Sequence, residues 1–187
     1  KCQFTPETIH TALEGSLKRL RIDSIDLYQL HWPDRGWEDF QNLGQIVPIK
    51  DAGADRAETI AALDELVQAG KIRSWGVSNE SAWGMMDFVA RATMANTTRP
   101  ASIQNAYNLL NRKFEFSLSE IAFREDVGLL AYAPIAAGNL TGKYLNGAKP
   151  ADARNTLWPE NTRYFSSQAK AATAAYVALA ASHNIAP

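Results

Sequence analysis

Four times along this chain a helix-period pattern gives way to a short apolar run, and this alternation constrains the fold more than any single motif. Parallel strands cannot be joined by a hairpin, so strict helix-strand alternation predicts a parallel sheet in which the helices form right-handed crossovers. The first pair shows the pattern. Thr5-Pro6-Glu7 opens a helix, since Thr5 can cap, Pro6 suits the first helical position and Glu7 complements the macrodipole. Ile9, Leu13, Leu17 and Leu20 supply an apolar stripe, and Lys18, Arg19 and Arg21 crowd the last turn. The run from Ile25 to Leu30 then reads as a short buried strand. It stops at His31, because Pro33 cannot donate to a ladder and biases Trp32 toward extended backbone.

The later pairs repeat this logic. A helix over about 57–69, with Ile60, Leu63, Leu66 and Val67 on one side and Gly70 as the residue that ends it, precedes a strand over 72–77 closing in Ser78-Asn79. A helix over about 81–95 buries Met85, Met86, Phe88 and Val89, and a strand over 101–105 ends in Gln104-Asn105. A shorter helix over about 115–124 leads to a strand over 127–132, and a loop with Gly138 and Gly142 covers 134–144. Ser166 caps an alanine-rich last helix that reaches about His183. The segment 35–55, with Trp37, Phe40 and Pro48, is too long for a plain connector and reads as a lid or specificity loop.

Composition narrows the partners. The 187 residues are 46% hydrophobic and 21% charged, enough for an ordinary soluble domain with a sizeable core. A net charge of -1 without any Lys/Arg-rich run argues against nucleic acid and against an anionic membrane surface, and no apolar run approaches the roughly 18 to 20 residues of a membrane span. A cytoplasmic protein is the expectation. Cys2 is the single cysteine, so it excludes an internal disulfide, cannot alone make a structural metal site, and reads as an inert thiol. The chain starts at Lys1 without a methionine and stops at Pro187 just after a helix, which reads as a piece of a longer protein or a natural truncation.

The chemistry lies at the strand ends. His31, Ser78-Asn79, Gln104-Asn105 and Tyr132 each stand where a buried strand alone would not choose them. In a parallel barrel all such ends open at one rim, so these groups are expected to converge. A hydroxyl, carboxamides and an aromatic ring suit a flat, polar, heteroaromatic ligand, and Lys143, Arg154 and Arg163 supply cations for phosphates. Each has an ordinary structural reading: a histidine bonded to backbone, a Ser-Asn turn, a satisfied surface amide. The weight lies in the set.

These residues resemble the aldo-keto reductases. Leu17-Lys18-Arg19-Leu20 with Ile25 to Asp34, Gly70-Lys71-Ile72-Arg73 with Gly76-Val77-Ser78-Asn79, Gln104 to Arg112, and Tyr132 to Tyr144 carry the resemblance. Agreement is closest with the bacterial Tas-like branch, through Leu140 to Pro150 and Ala153 to Leu157. The resemblance implies an α/β fold, a partial (β/α)8 TIM barrel, with residues 1–187 as one partial domain holding strands four to seven and lacking strands one to three and eight. It implies reduction of an aldehyde or ketone with NADP(H) and without metal. His31 would be the catalytic histidine and Trp32 would border the substrate pocket. Ser78, Asn79 and Gln104 would hold the nicotinamide carboxamide, and Tyr132 would stack on its ring. Ala133, Pro134, Ile135, Ala136, Ala137, Gly138, Leu140 and Lys143 would wrap the pyrophosphate, with Arg154 near the adenosine end. The family's Asp, Tyr and Lys lie on strands before the one ending at His31, so the tetrad is represented by His31 alone. The alternative is a non-catalytic nucleotide-binding or regulatory relative, or an inactive truncated barrel. A small-molecule carbonyl compound is the expected partner, with self-association if the chain is truncated.

Overall fold

A computed structural model describes residues 3–35 and 53–187. Cys2 and almost all of the expected lid, with Trp37, Phe40 and Pro48, lie outside the described residues. Helix α1 spans Pro6–Leu20, capped by the Thr5 hydroxyl, which accepts from the Thr8 amide, and ended by Arg21 in the left-handed region. Ile9, Leu13 and Leu17 are buried as the stripe requires. Leu20, expected on the same stripe, is 60% exposed in the last turn, where Arg21 diverts the chain.

Strands β1 (Ile25–Leu30), β2 (Ile72–Ser78), β3 (Ser102–Ala106) and β4 (Gly128–Tyr132) form one four-stranded sheet in sequence order. The β1–β2 and β2–β3 ladders are parallel, with Ile25 opposite Ile72 and Gly76 opposite Ser102. In the described sheet β1 has β2 as its one neighbour, and of its residues only Leu30 is buried there. The central β2 carries the burial instead, through Ile72, Trp75 and Val77. Trp75 is fully enclosed, its ring edge-on to Phe88 at 5.9 Å and its indole N–H donating to the Thr98 carbonyl at 3.2 Å. Helices α2 (Arg56–Gln68) and α3 (Ala82–Met94) cover it with Ile60, Leu63, Leu66, Met85, Phe88 and Val89, while Met86 is half-buried. Both helices start at side-chain caps, Asp55 and Ser81.

The expected helix over 115–124 is two pieces. Lys113–Glu115 makes a single 3-10 turn, Ser117 breaks the path with φ -155°, and α4 covers only Leu118–Arg124 without burying a side chain. By contact the chain parts into two compact units, Lys1–Asn105 with Glu115–Leu130, and Ala106–Phe114 with Ala131–Pro187. The second unit contains short 3-10 turns, α5 (Arg154–Leu157), which the sequence did not announce, and α6 (Ser167–Ser182), capped by Ser166 as expected. Its core is Ala136, Leu140 and Tyr164, flanked by Leu110 and Tyr176. Among the described residues no helix is long and apolar enough to cross a membrane, and no cluster of His, Cys, Asp and Glu could hold a metal.

Candidate functional site

In the first unit the strand-end groups are joined by hydrogen bonds. His31 follows β1 directly and is exposed, with its ring stacked on Trp32 at 4.5 Å and 11°. Its carbonyl accepts from Asn79 Nδ2 at 2.8 Å. Asn79 has φ 57°, a left-handed conformation that asparagine tolerates better than most residues. Its backbone amide donates to the Gln104 carbonyl at 3.0 Å, and its Nδ2 also reaches Ser78 Oγ at 3.1 Å. Ser78 is 2% exposed and spends its hydroxyl proton on the same Gln104 carbonyl at 2.7 Å. The Gln104 carboxamide, half-buried, makes no hydrogen bond among the described residues, so both its donor and its acceptor remain available.

Behind these groups lies a layer that sequence reasoning missed. Arg35, just beyond β1, grips Glu80, just beyond β2, in a two-pronged pair at 2.7 and 2.6 Å, the side chains 4% and 3% exposed. Arg35 Nη2 also donates to Ser81 Oγ at 3.2 Å, and its guanidinium lies 5.2 Å from the Trp83 ring. The Glu80 carbonyl accepts from Asn105 Nδ2 at 2.9 Å. Trp83 also lies under Arg56, which pairs with Asp87. Burial pushes the Asp87 carboxyl up, but hydrogen bonds and charge from Arg56 and Arg91 outweigh it and hold the carboxyl below its ordinary range. The available signal was positional: an arginine and a glutamate each standing a few residues past the end of a neighbouring strand.

The second unit holds a cleft of about 550 Å³, a volume typical of small-molecule sites. Tyr132, Ala133, Gly138, Lys143, Arg154 and Arg163 line it, and no carboxylate does. Lys143, Arg154 and Arg163 have no carboxylate partner among the described residues. Arg163 Nη1 donates to the Tyr132 hydroxyl at 3.3 Å, and its guanidinium lies 5.7 Å from that ring and 5.6 Å from the Tyr164 ring. The wall is a tightly coiled loop in which Ala133, Ala136 and Ala137 have φ 53°, 49° and 55°. Gly138 has φ 92°, a conformation that side chains with a Cβ rarely adopt, so glycine is needed for the backbone; the nearest atom to an added Cβ would be the movable end of Lys143, at 2.8 Å. Ile135 is exposed and Pro134 lies on the same loop, but the Ala136 and Leu140 side chains belong to the core, leaving only their backbone to face a ligand. The donor set suits phosphates: cations without counter-charges in a concave site whose glycine permits close approach.

Of the residues expected at the site, the structure thus links His31, Ser78, Asn79 and Gln104 in the first unit, and gathers Tyr132, Lys143 and Arg154 around the cleft of the second. A parallel sheet with polar groups at the carboxyl ends of its strands, alternating with helices, defines an α/β protein of the barrel-building kind. Residues 1–187 match the model of the Aldo/keto reductase family, and the chain belongs to that family. It is 48% identical to Protein tas of Escherichia coli K12 over 181 residues, covering 97% of this chain and 52% of that protein. It is 38% identical to an aldo-keto reductase of Babesia bovis over 201 residues, 97% of this chain and 68% of that protein. A human protein named aflatoxin B1 aldehyde reductase member 2 is 32% identical over 139 residues, 74% of this chain and 34% of that protein. The chain therefore spans about half the length of its Escherichia coli relative.

Proposed function

We propose that this chain carries the nucleotide-binding half of an NADP(H)-dependent reductase of aldehydes or ketones, its four strands corresponding to strands four to seven of an eight-stranded barrel. The observation that carries the reading is the acid-free cleft with Lys143, Arg154 and Arg163 on its walls. Such a cleft attracts phosphates, and Tyr132 on the same wall offers an aromatic face. The Gln104 carboxamide, with both functions available, would bond the carboxamide of a nicotinamide, with Asn79 beside it, while Ser78 fixes the Gln104 backbone. When bound, the dihydronicotinamide supplies the hydride for the carbonyl carbon. His31, exposed at the end of β1 with its ring steadied by Trp32, would donate a hydrogen bond to the carbonyl oxygen and orient it. Trp32, 39% exposed, would border the carbonyl compound.

Titration of NADPH fluorescence tests the site. Gln104→Ala and Arg154→Ala are expected to weaken binding, and equal binding by wild type and both variants would remove the assignment. His31→Ala in the complete polypeptide is expected to lower kcat by roughly 30- to 1,000-fold, the loss of one hydrogen bond worth about 2 to 4 kcal/mol in the transition state, with NADPH affinity nearly kept. Unchanged kcat per folded molecule would make His31 a structural residue. Tight NADPH binding with no carbonyl turnover in the complete polypeptide would favour the regulatory reading instead.

A further inference from the structure

One buried ion pair ties the ends of three successive strands in the first unit. Arg35 lies beyond β1, Glu80 lies beyond β2, and the Glu80 carbonyl accepts from Asn105 near the end of β3. The two-pronged geometry fixes the plane of the carboxylate as well as its distance, which a lysine could not do. Glu80 directly follows Asn79, whose left-handed backbone (φ 57°) aims its side chain at the His31 carbonyl. Asn79 is held on one side by the Gln104 carbonyl, on another by the His31 carbonyl, and along the chain by an immobilised Glu80.

A buried pair of this kind is a poor device for stability alone, because well-packed apolar residues of similar volume commonly serve as well or better. What the pair supplies is a fixed geometry. We propose that Arg35 and Glu80 are positioning residues: they hold Asn79 and the His31 carbonyl in register, and through them set how the strand ends receive the nicotinamide. The proposal rests on the nicotinamide reading given above. It assigns the pair no contact with the ligand.

The test compares two nucleotides in the complete polypeptide: NADPH, and 2′-phospho-ADP-ribose, the same framework without the nicotinamide. Arg35→Met combined with Glu80→Leu removes both charges together and so avoids an uncompensated buried charge. With its melting temperature near that of wild type, this variant is expected to bind NADPH about tenfold more weakly, the worth of one hydrogen bond, and 2′-phospho-ADP-ribose as wild type does. Arg35→Lys, which keeps the charge and loses the fork, is expected to fall between, and it carries the test alone if the double variant does not fold. Loss of both affinities in equal measure, or of neither, overturns the positioning role and leaves the pair structural. Failure of the wild type to bind NADPH overturns the nucleotide reading itself, and this proposal with it.

Discussion

Gly84 lies in the first turn of α3, against the buried pair, and replacing it with alanine gives a sharp test of the rim's geometry. Alanine in a helix is ordinarily better than glycine by about 1 kcal/mol. At this position, however, a Cβ would overlap Glu80 Oε2 and come within 2.5 Å of Arg35 Nη2 and 2.6 Å of the Glu80 carboxyl carbon. Neither neighbour has room to retreat, since both are almost wholly buried and bound to each other. Overpacking a tight site costs about 1 to 3 kcal/mol, and separating a buried pair about 3 to 5 kcal/mol. Because the new Cβ would force the pair apart, Gly84→Ala should lose about 2 to 4 kcal/mol of stability once the helix gain is subtracted. Gly15→Ala on α1 is the control. There the nearest atom to a new Cβ is the tip of the Arg19 side chain at 3.1 Å, which can swing away, so a gain of about 0.5 to 1 kcal/mol is expected. Urea unfolding followed by circular dichroism reads both. A Gly84→Ala midpoint at or above wild type, with Gly15→Ala rising as expected, would refute the close approach of α3 to the pair.

Ala137→Gly should stabilise the loop by about 0.5 to 1 kcal/mol, since Ala137 has φ 55°, and a melting temperature below wild type would count against that backbone. Acid should weaken the first unit through two carboxyls. Asp64 is held below its ordinary range mainly by the Thr98 amide at 2.8 Å, and Asp87 by Arg56 and Arg91 against the opposing effect of burial. Groups with depressed folded-state pKa values stabilise above the unfolded value of about 3.9, and that contribution disappears as pH falls through the lower folded value. Melting curves from pH 6 down to about pH 2 should therefore show a loss that is smaller in Asp64→Asn and Asp87→Asn; identical slopes would refute the assignment.

What was legible in the sequence was local. Thr5, Asp55, Ser81 and Ser166 occupy cap positions, and caps work through bonds to residues two or three ahead, so the sequence carries the whole motif; reading anticipated Thr5 and Ser166 as caps, and Ser81 only as the start of a helix. The strands were found because apolar runs of five to seven residues are bounded by polar ends. The exposure of β1 follows its surroundings: its sequence reads as buried, and in the described four-stranded sheet, where β2 is its one neighbour, Leu30 alone is buried. Arg35 and Glu80 were invisible for a similar reason, standing 45 residues apart and meeting only once the sheet sets β1 beside β2. At the candidate site residue types were readable, but their division of labour was not. Nothing in Ser78 itself announces that its proton goes to a backbone carbonyl while Gln104 keeps its amide available.

Just before Arg35, the Asp34 carboxylate accepts from the Phe4 amide at 3.1 Å and from the Ala54 amide at 2.9 Å. This one oxygen therefore closes the neck of the segment between residues 34 and 54, holding its two ends together and both to the start of α1. The strand end that carries His31 therefore has two anchors beyond it, the Asp34 carboxylate and the Arg35–Glu80 pair. Asp34 is thus the single point at which the run out of β1, the approach to α1 and the approach to α2 are fastened to one another.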